Sequence, residues 1–287
     1  MLPKFDYFAP QTLQETFDLL EKHGRDARLL AGGTDLIVSL RAREQHPKSI
    51  IDIKGVRELD ELSFDEKRGL AVGAAVNLNK LMHFDAVSQH YPVLKEAVST
   101  IGDYEIRNRA TVVGNICNGS PAADSAPALL VLDANVNIVS QRGKRSVPVR
   151  NFFTGVKKTV LANNELVSSI SVPTPPSGHK GGYLKGRRTV GEDLTVVGVA
   201  GLVTPGGTGG KSVRLAYASV APTPVRALEA EKIFQSNKPL GDLFDEAMPI
   251  IRKTLSPISD VRGGKDYRAN LVEVLTRRLV RQLWEAS

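Results

Sequence analysis

Cysteine is almost missing from this chain of 287 residues, which holds only Cys117. One thiol closes no internal disulfide and supplies no thiolate cluster for iron–sulfur or zinc, so such chemistry must sit in another chain. The reading that follows is a reducing, cytoplasmic setting. The five histidines, His23, His46, His83, His90 and His179, show no HExxH or comparable ligand spacing, so no metal site is assigned. No apolar run reaches the roughly 18–20 residues that cross a bilayer, and the opening "MLPKFDYFAP" has no secretory-type apolar stretch. Aromatics are sparse, with nine Phe, six Tyr and one Trp, and the net charge of +7 is spread without basic runs. A nucleic-acid module needs clustered cations and stacking rings, so that class is set aside. The positive balance fits a solvated basic surface, a polyanionic ligand or an acidic partner chain.

Two nucleotide motifs are also lacking. No GxGxxG fingerprint occurs, which removes support for a Rossmann site. "PGGTGGKS", residues 205–212, misses a P-loop at Pro205. The stretch after it, "SVRLAYASVA", alternates like a strand where a P-loop would start a helix, so it reads as a hairpin turn.

What is present is an ordinary folded composition, 41% apolar and 24% charged, in a chain long enough for two domains. "TLQETFDLLEKHG" spaces Leu13, Phe17 and Leu20 as one helical face closed by Gly24. "ARLLAG", "SIIDI", "GLAVGAAV" and "NVNIVS" read as strands. "LNKLMHFDAV", capped by Asn77, "PVLKEAVSTI", opened by Pro92, and "AADSAPALLVLDA" read as helices. "VPTPPSGHKGG", residues 172–182, concentrates proline and glycine and is placed as the domain boundary. Beyond it, "DLTVVGVAGLV" and "SVRLAYASVA" form a hairpin around "TPGGTGG". The last helix, "YRANLVEVLTRRLVRQLWEA", sets Leu271, Val274, Leu275, Leu279 and Leu283 on one face, with Arg277, Arg278 and Arg281 mostly elsewhere.

Two polar, glycine-containing segments lead into apolar helices: "LLAGGTDLIVSLR", residues 29–41, and "IRNRATVVGNICNGSPAADSAPALL", residues 106–130. Gly32 and Gly33 offer backbone N–H groups without a Cβ in the way. Thr34, Thr111 and Ser120 add hydroxyls, and Asp124 offers a carboxylate to sugar or ribityl hydroxyls or a cap to the next helix. Together they describe a site for a pyrophosphate-bearing cofactor, although each loop alone is also an ordinary turn.

"AGGTDL", "RNRATVVGNICNGSPAADSAPALL", "YLKGRRTVGEDLTVVGVA" and "DYRANLVEVLTRRLV" occur in that order over nearly the whole chain. In this it resembles the FAD-binding medium subunit of the molybdenum hydroxylases, the xanthine dehydrogenase and carbon monoxide dehydrogenase family. The resemblance implies an α+β chain. Residues 1–174 would form a two-subdomain α/β FAD-binding domain of the vanillyl-alcohol oxidase (PCMH) type, and residues 175–287 a smaller α+β domain of the carbon monoxide dehydrogenase flavoprotein C-terminal type. It carries the pyrophosphate loop over to Leu30, Ala31, Gly32, Gly33, Thr34, Asp35 and Leu36, and a second loop to Thr111, Gly114 and Asn115, followed by Ser120 and Asp124. Ile101 and Leu166 or Val167 become apolar contacts of the flavin ring, and Lys185 a cation near it. Asp193 is expected to order Arg187 and Arg188. Val113 departs from the family pattern T-x-G-G-N, where the first glycine of the pair is usual, which puts the local loop shape in doubt.

The same resemblance implies an oxidoreductase subunit with no catalytic side chain. FAD is held here, while molybdopterin and iron–sulfur clusters sit in a large and a small partner subunit, and an external acceptor takes the electrons. Thr34 and Asp35 are similar to the xanthine-, nicotinate- and aldehyde-oxidising members, where carbon monoxide dehydrogenases usually read AGGHS. Two other readings are a self-sufficient flavin oxidase of the vanillyl-alcohol type and a non-catalytic scaffold with a decayed flavin site, motivated by Val113.

Overall fold

The computed structural model describes residues 2–189, 193–206 and 210–287. Its first lobe starts as the sequence suggests. The Thr12 hydroxyl accepts from the Glu15 amide, the Glu15 carboxylate accepts in return from the Gln11 amide, and the helix Leu13–His23 ends at Gly24, whose φ is +51°. Beside it lies a parallel sheet of Asp6–Phe8, Ser49–Asp52 and Ala27–Leu30, with Ser49–Asp52 in the middle. All four residues of that middle strand are buried, which is why "SIID" carries so few charges.

The second lobe is an antiparallel five-stranded sheet in the order Leu62–Asp65, Gly69–Gly73, Leu166–Val172, Asn135–Ser140, Gly143–Pro148. Leu70, Val72, Val136, Ile138 and Ile170 join one core with residues of the helices Pro92–Ser99, Val112–Cys117 and Ser125–Val131. The expected helix over "LNKLMHFDAV" is two pieces, Leu78–Met82 and Asp85–His90, parted by the extended backbone of Phe84. The His83 ring bonds the Asn79 carbonyl at 2.7 Å and closes the first piece. The break lets Leu78 and Leu81 of the first piece and Ala86 and Val87 of the second all bury. The helix over "AADSAPALLVLDA" is shorter than expected, Ser125–Val131, with Asp124 just ahead of it.

The third sheet runs Lys180–Gly186, Val197–Pro205, Lys211–Ala218, Val225–Arg226, all antiparallel. Lys180–Gly186 overlaps the glycines of the expected boundary segment, which an edge strand tolerates and a central one would not. A strand follows Pro205 and Gly210, so the P-loop geometry is absent there; residues 207–209 of the expected turn and 190–192 of the "RRTVGED" motif lie outside the described residues. This sheet is shared between two cores. Tyr183, Ala200, Leu202 and Ala216 join the core of the second lobe, while Val199, Val203, Val213, Leu215 and Tyr217 pack with the helices Leu240–Thr254 and Lys265–Ala286. In that last helix the expected face is shifted: Val274 is exposed and Leu271 half-buried, while Val272, Leu275, Thr276, Leu279, Val280 and Leu283 are buried.

Candidate functional site

A cleft of about 840 Å³ opens where the two N-terminal lobes meet, a size at the upper end for cofactor pockets (about 300–1,000 Å³). Its first wall is the turn after Ala27–Leu30. Ala31, Gly32, Gly33, Thr34, Asp35 and Leu36 all line it, and the helix Leu36–Arg41 carries the chain away. Among the described residues, the backbone N–H groups of Gly32, Gly33, Thr34 and Asp35 meet no acceptor in the chain. Four adjacent free amides beside a cleft form an anion cradle.

Gly32 is bare for a second reason, which the sequence does not reveal. A Cβ there would stand 2.2 Å from the Arg109 carbonyl oxygen and 2.8 Å from the Ala110 Cα, so the two polar loops touch backbone to backbone. Gly33 has φ +78°, a left-handed turn that aims the chain into the next helix.

The second wall is Thr111, Val113, Gly114, Asn115 and Cys117 of the other loop. The Thr111 hydroxyl accepts from the Gly114 amide at 2.8 Å and caps the helix Val112–Cys117. Asn115 uses its carbonyl oxygen on Ser125, at 2.6 Å from the hydroxyl, so its amide nitrogen is left to donate elsewhere. Val113 sits inside this short helix and is 5% exposed. Helical backbone has negative φ, so the departure from glycine costs no backbone strain. Burial pushes the Cys117 thiol up to about 12, which keeps it protonated and a poor nucleophile at neutral pH. Ile101, Leu166 and Val167 add apolar wall.

Four of the expected site residues do not line the cleft in this structure: Leu30, Ser120, Asp124 and Lys185. The Leu30 side chain packs under Gly33. The Ser120 hydroxyl accepts from the Ala122 amide at 3.2 Å. Asp124 and Lys185 meet each other, 3.0 Å apart, with side chains 9% and 4% exposed. The other carboxylate oxygen of Asp124 accepts from the hydroxyls of Tyr183 and Thr195, both at 2.6 Å, and the Lys185 ammonium donates to the Thr100 carbonyl at 3.0 Å. Asp124 comes from the second lobe and its partners from the third sheet and the connection between that sheet's first two strands, so the cluster is a junction between them. Burial and the nearby Asp124 charge hold the Tyr183 hydroxyl well above the usual tyrosine range. Lys185 is thus a buried cation one residue behind Ile101.

Asp193 bonds the Arg188 amide at 2.8 Å and the Arg188 guanidinium at 3.4 Å, and these contacts, the amide first, hold its carboxyl below the usual range. Arg187 is exposed.

The sequence reading missed the outer rim of the cleft, which includes Arg28, Gln45, Lys157, Lys158 and Asn163. Lys157 and Lys158 belong to a tight turn between Phe153–Gly155 and Lys158–Thr159. Lys157 has φ +57°, and its backbone N–H donates to Gly119 while its ammonium donates to Asn118. "TGVKKT" could have been read as that turn. Arg268 was missed too: it is 1% exposed and donates to the carbonyls of Val196 and Ser219 and to Asp260. Its acceptors at Val196 and Ser219 lie 72 and 49 residues away, so local sequence does not separate it from a surface arginine.

Comparison with known proteins agrees with this geometry. Residues 3–175 match the FAD binding domain in molybdopterin dehydrogenase, and residues 182–283 the CO dehydrogenase flavoprotein C-terminal domain. The chain is 33% identical over 283 residues to a xanthine dehydrogenase FAD-binding subunit of Escherichia coli O157:H7, covering 98% of this chain and 96% of that one. It is 34% identical over 282 residues to a glyceraldehyde dehydrogenase medium chain of Sulfolobus acidocaldarius, covering 98% and 99%. Among solved structures it superposes on reconstituted CO dehydrogenase from Oligotropha carboxidovorans with a TM-score of 0.95 at 30% identity, over 100% of both chains. The paired domains, the full-length likeness and a two-loop cleft with an anion cradle lead to one conclusion: the chain belongs to the FAD-binding medium subunits of the molybdenum hydroxylases.

Proposed function

We propose that the cleft holds FAD and that the chain passes electrons from the iron–sulfur clusters of a small partner subunit to an external acceptor. The observation that carries this reading is the run of four amides without a partner among the described residues, Gly32 to Asp35, on residues that line a cleft with Thr111, Gly114 and Asn115. In this reading the amides and the Thr34 hydroxyl hold the pyrophosphate, Asn115 donates to it or to the ribityl chain, and Ile101, Leu166 and Val167 cover the flavin ring. Lys185 lies behind the ring end of the cleft and is proposed to act there through the Thr100 carbonyl next to Ile101, with Asp124 holding it in place, and Ser120 to shape the loop ahead of Asp124. Bound FAD would take up electrons singly and release them in pairs.

The complex we favour oxidises an N-heterocycle or an aldehyde in the manner of xanthine dehydrogenase, with molybdopterin in a large partner subunit. Thr34 and Asp35 support that choice, as do relatives named for xanthine and glyceraldehyde. We place the division between the FAD-binding and C-terminal domains at residues 174/175 and the chain in the cytoplasm. No helix among the described residues is long and apolar enough to cross a membrane.

The test is the visible spectrum of the purified chain after incubation with FAD. Flavin bands near 1:1 stoichiometry, bleached by a heterocycle or aldehyde only when the molybdenum and iron–sulfur chains are added, are expected. A chain that retains no FAD sinks the reading, and bleaching of the isolated chain by a small alcohol replaces it with a self-sufficient oxidase.

A further inference from the structure

The turn that brings Ile101 to the cleft is held by Arg107, the first residue of "RNRATVVGN", to which the sequence assigned no role. The helix Pro92–Ser99 ends just before it, and the last carbonyls of a helix have no partner within the helix. Arg107 closes the next short helix, Tyr104–Arg107, and folds back over this turn. One guanidinium nitrogen, Nη1, donates to the carbonyls of Ser99 at 3.1 Å, Ile101 at 3.1 Å and Gly102 at 2.9 Å. The carbonyl between them, that of Thr100, accepts from Lys185 instead. All four consecutive carbonyls, 99 to 102, are therefore tied to two cations, and Ile101 is the residue of that turn that lines the cleft.

Two features argue for more than a helix cap. A cap satisfies the carbonyls of the helix end, whereas two of the three held by Arg107 lie past it, on Ile101 and Gly102 themselves. The Arg107 Nε is also shielded from water with no partner among the described residues. An unpaired buried N–H is unfavourable, so the side chain is held for the sake of its Nη1 contacts and not by an even distribution of its donors. Arg107 does not itself line the cleft.

We infer that Arg107 is a positioning residue: by gathering the carbonyls around Ile101 it fixes that side chain in the wall where the flavin ring would lie, and so sets FAD affinity and the polarity around the ring. This rests on the FAD reading of the cleft.

The experiment is FAD titration of the full apo-chain, followed by the shape of the visible flavin band, for the parent, Arg107→Ala, Arg107→Lys, Ile101→Ala and the double variant Arg107→Ala/Ile101→Ala. Arg107→Ala is expected to weaken FAD binding roughly tenfold, which is about 1.4 kcal/mol, and to alter the band shape. Arg107→Lys, which keeps a cationic donor, should recover part of both. In the Ile101→Ala background the arginine substitution should change affinity by less than about twofold, because the side chain it positions is gone.

Arg107→Ala with a lowered melting temperature but the parent's FAD affinity and spectrum would make it a helix cap and overturn the inference. So would an equal loss of affinity in both backgrounds. Should Arg107→Ala fail to fold, Arg107→Lys decides: parent-like affinity and band shape in a chain with a shifted melting temperature would overturn the inference, and a weakened, altered flavin would support it. A parent that binds no FAD overturns the functional reading along with this one, whereas a parent that binds while the variants do not differ overturns this one alone.

Discussion

In the cleft, the amides of Gly32 to Asp35 meet no acceptor among the described residues; at the junction, the Asp124 carboxylate accepts from Tyr183, Thr195 and Lys185. The two regions use similar residue types and are linked through Thr100 and Ile101, yet one is open and the other closed. Open donors in a concave wall are available to a ligand, while closed ones are committed to holding the chain's parts together. The junction continues outward through Thr195, whose carbonyl accepts from the Ser219 hydroxyl and from Arg262. It ends at Asp260, bound by Arg262 and the buried Arg268. Perturbing the closed region should therefore lower stability, and perturbing open groups of the cleft should change only what binds.

The largest effect expected is at the junction. Lys185→Met leaves Asp124 buried without its cation, which should cost roughly 3–5 kcal/mol and lower the melting temperature by about 10 °C. Pairing it with Asp124→Asn, which removes the charge and keeps an acceptor for the Tyr183 and Thr195 hydroxyls, should return part of that loss. A single variant that melts within about 2 °C of the parent would mean that the region is wet and open like the cleft.

Next comes Gly32→Ala, which sharpens the contrast because Gly32 belongs to both kinds of region. Its Cβ would press on the Arg109 carbonyl, and forcing the two loops apart should cost about 1–3 kcal/mol without FAD present. Thr34→Ala, one turn of the same wall, should melt like the parent. Equal melting of Gly32→Ala and the parent would show that the loops separate freely.

The smallest effect concerns pH. Hydrogen bonds from Arg262, then those from its amide and from Arg268, hold the Asp260 carboxyl well below the usual range. A carboxylate with a lowered folded-state pKa adds stability that is full above its unfolded value near pH 3.9 and fades as pH falls below it. Asp260→Asn should thus be less stable than the parent by roughly 1 kcal/mol at pH 7, solvent screening included, with the difference closing below about pH 4. Thermal melts across pH 2.5–7 measure it, and a gap that stays constant through that range would remove Asp260 from the closed region.

Much of the fold could be read locally. Thr12 and Gly24 bound the first helix, and "NVNIVS" and "SVRLAYASVA" became strands because β-branched and alternating residues fit a pleated surface. The strand Leu166–Val172 was not read as one although it occupies the middle of its sheet, because its importance lies in neighbours from about 30 and 95 residues earlier. Val274 was expected inside on helical spacing alone, but the buried stripe of its helix runs through Val272, Leu275, Leu279 and Val280 and leaves it outside. The cleft was legible in its two loops, which carry glycine, hydroxyl and amide groups at spacings that suit an anion. Its rim at Lys157 and Lys158 was not, since a short hairpin has no chemistry of its own until it is packed against Asn118 and Gly119.

By itself, the sequence determined that this chain is a folded α+β protein and singled out two polar, glycine-containing loops, which the structure brings to one cleft. It also determined the family, because four motifs in order over the whole length are far more specific than any one of them. Only the tertiary structure decided that a neighbouring backbone leaves no room for a Cβ at Gly32. The same holds for Asp124 and Lys185, which pair with each other, and for Arg107, which gathers the carbonyls around Ile101. In each case the deciding partner is distant in sequence or reached by the chain folding back, and hydrogen bonding and steric contact depend on positions in space that local propensity does not encode.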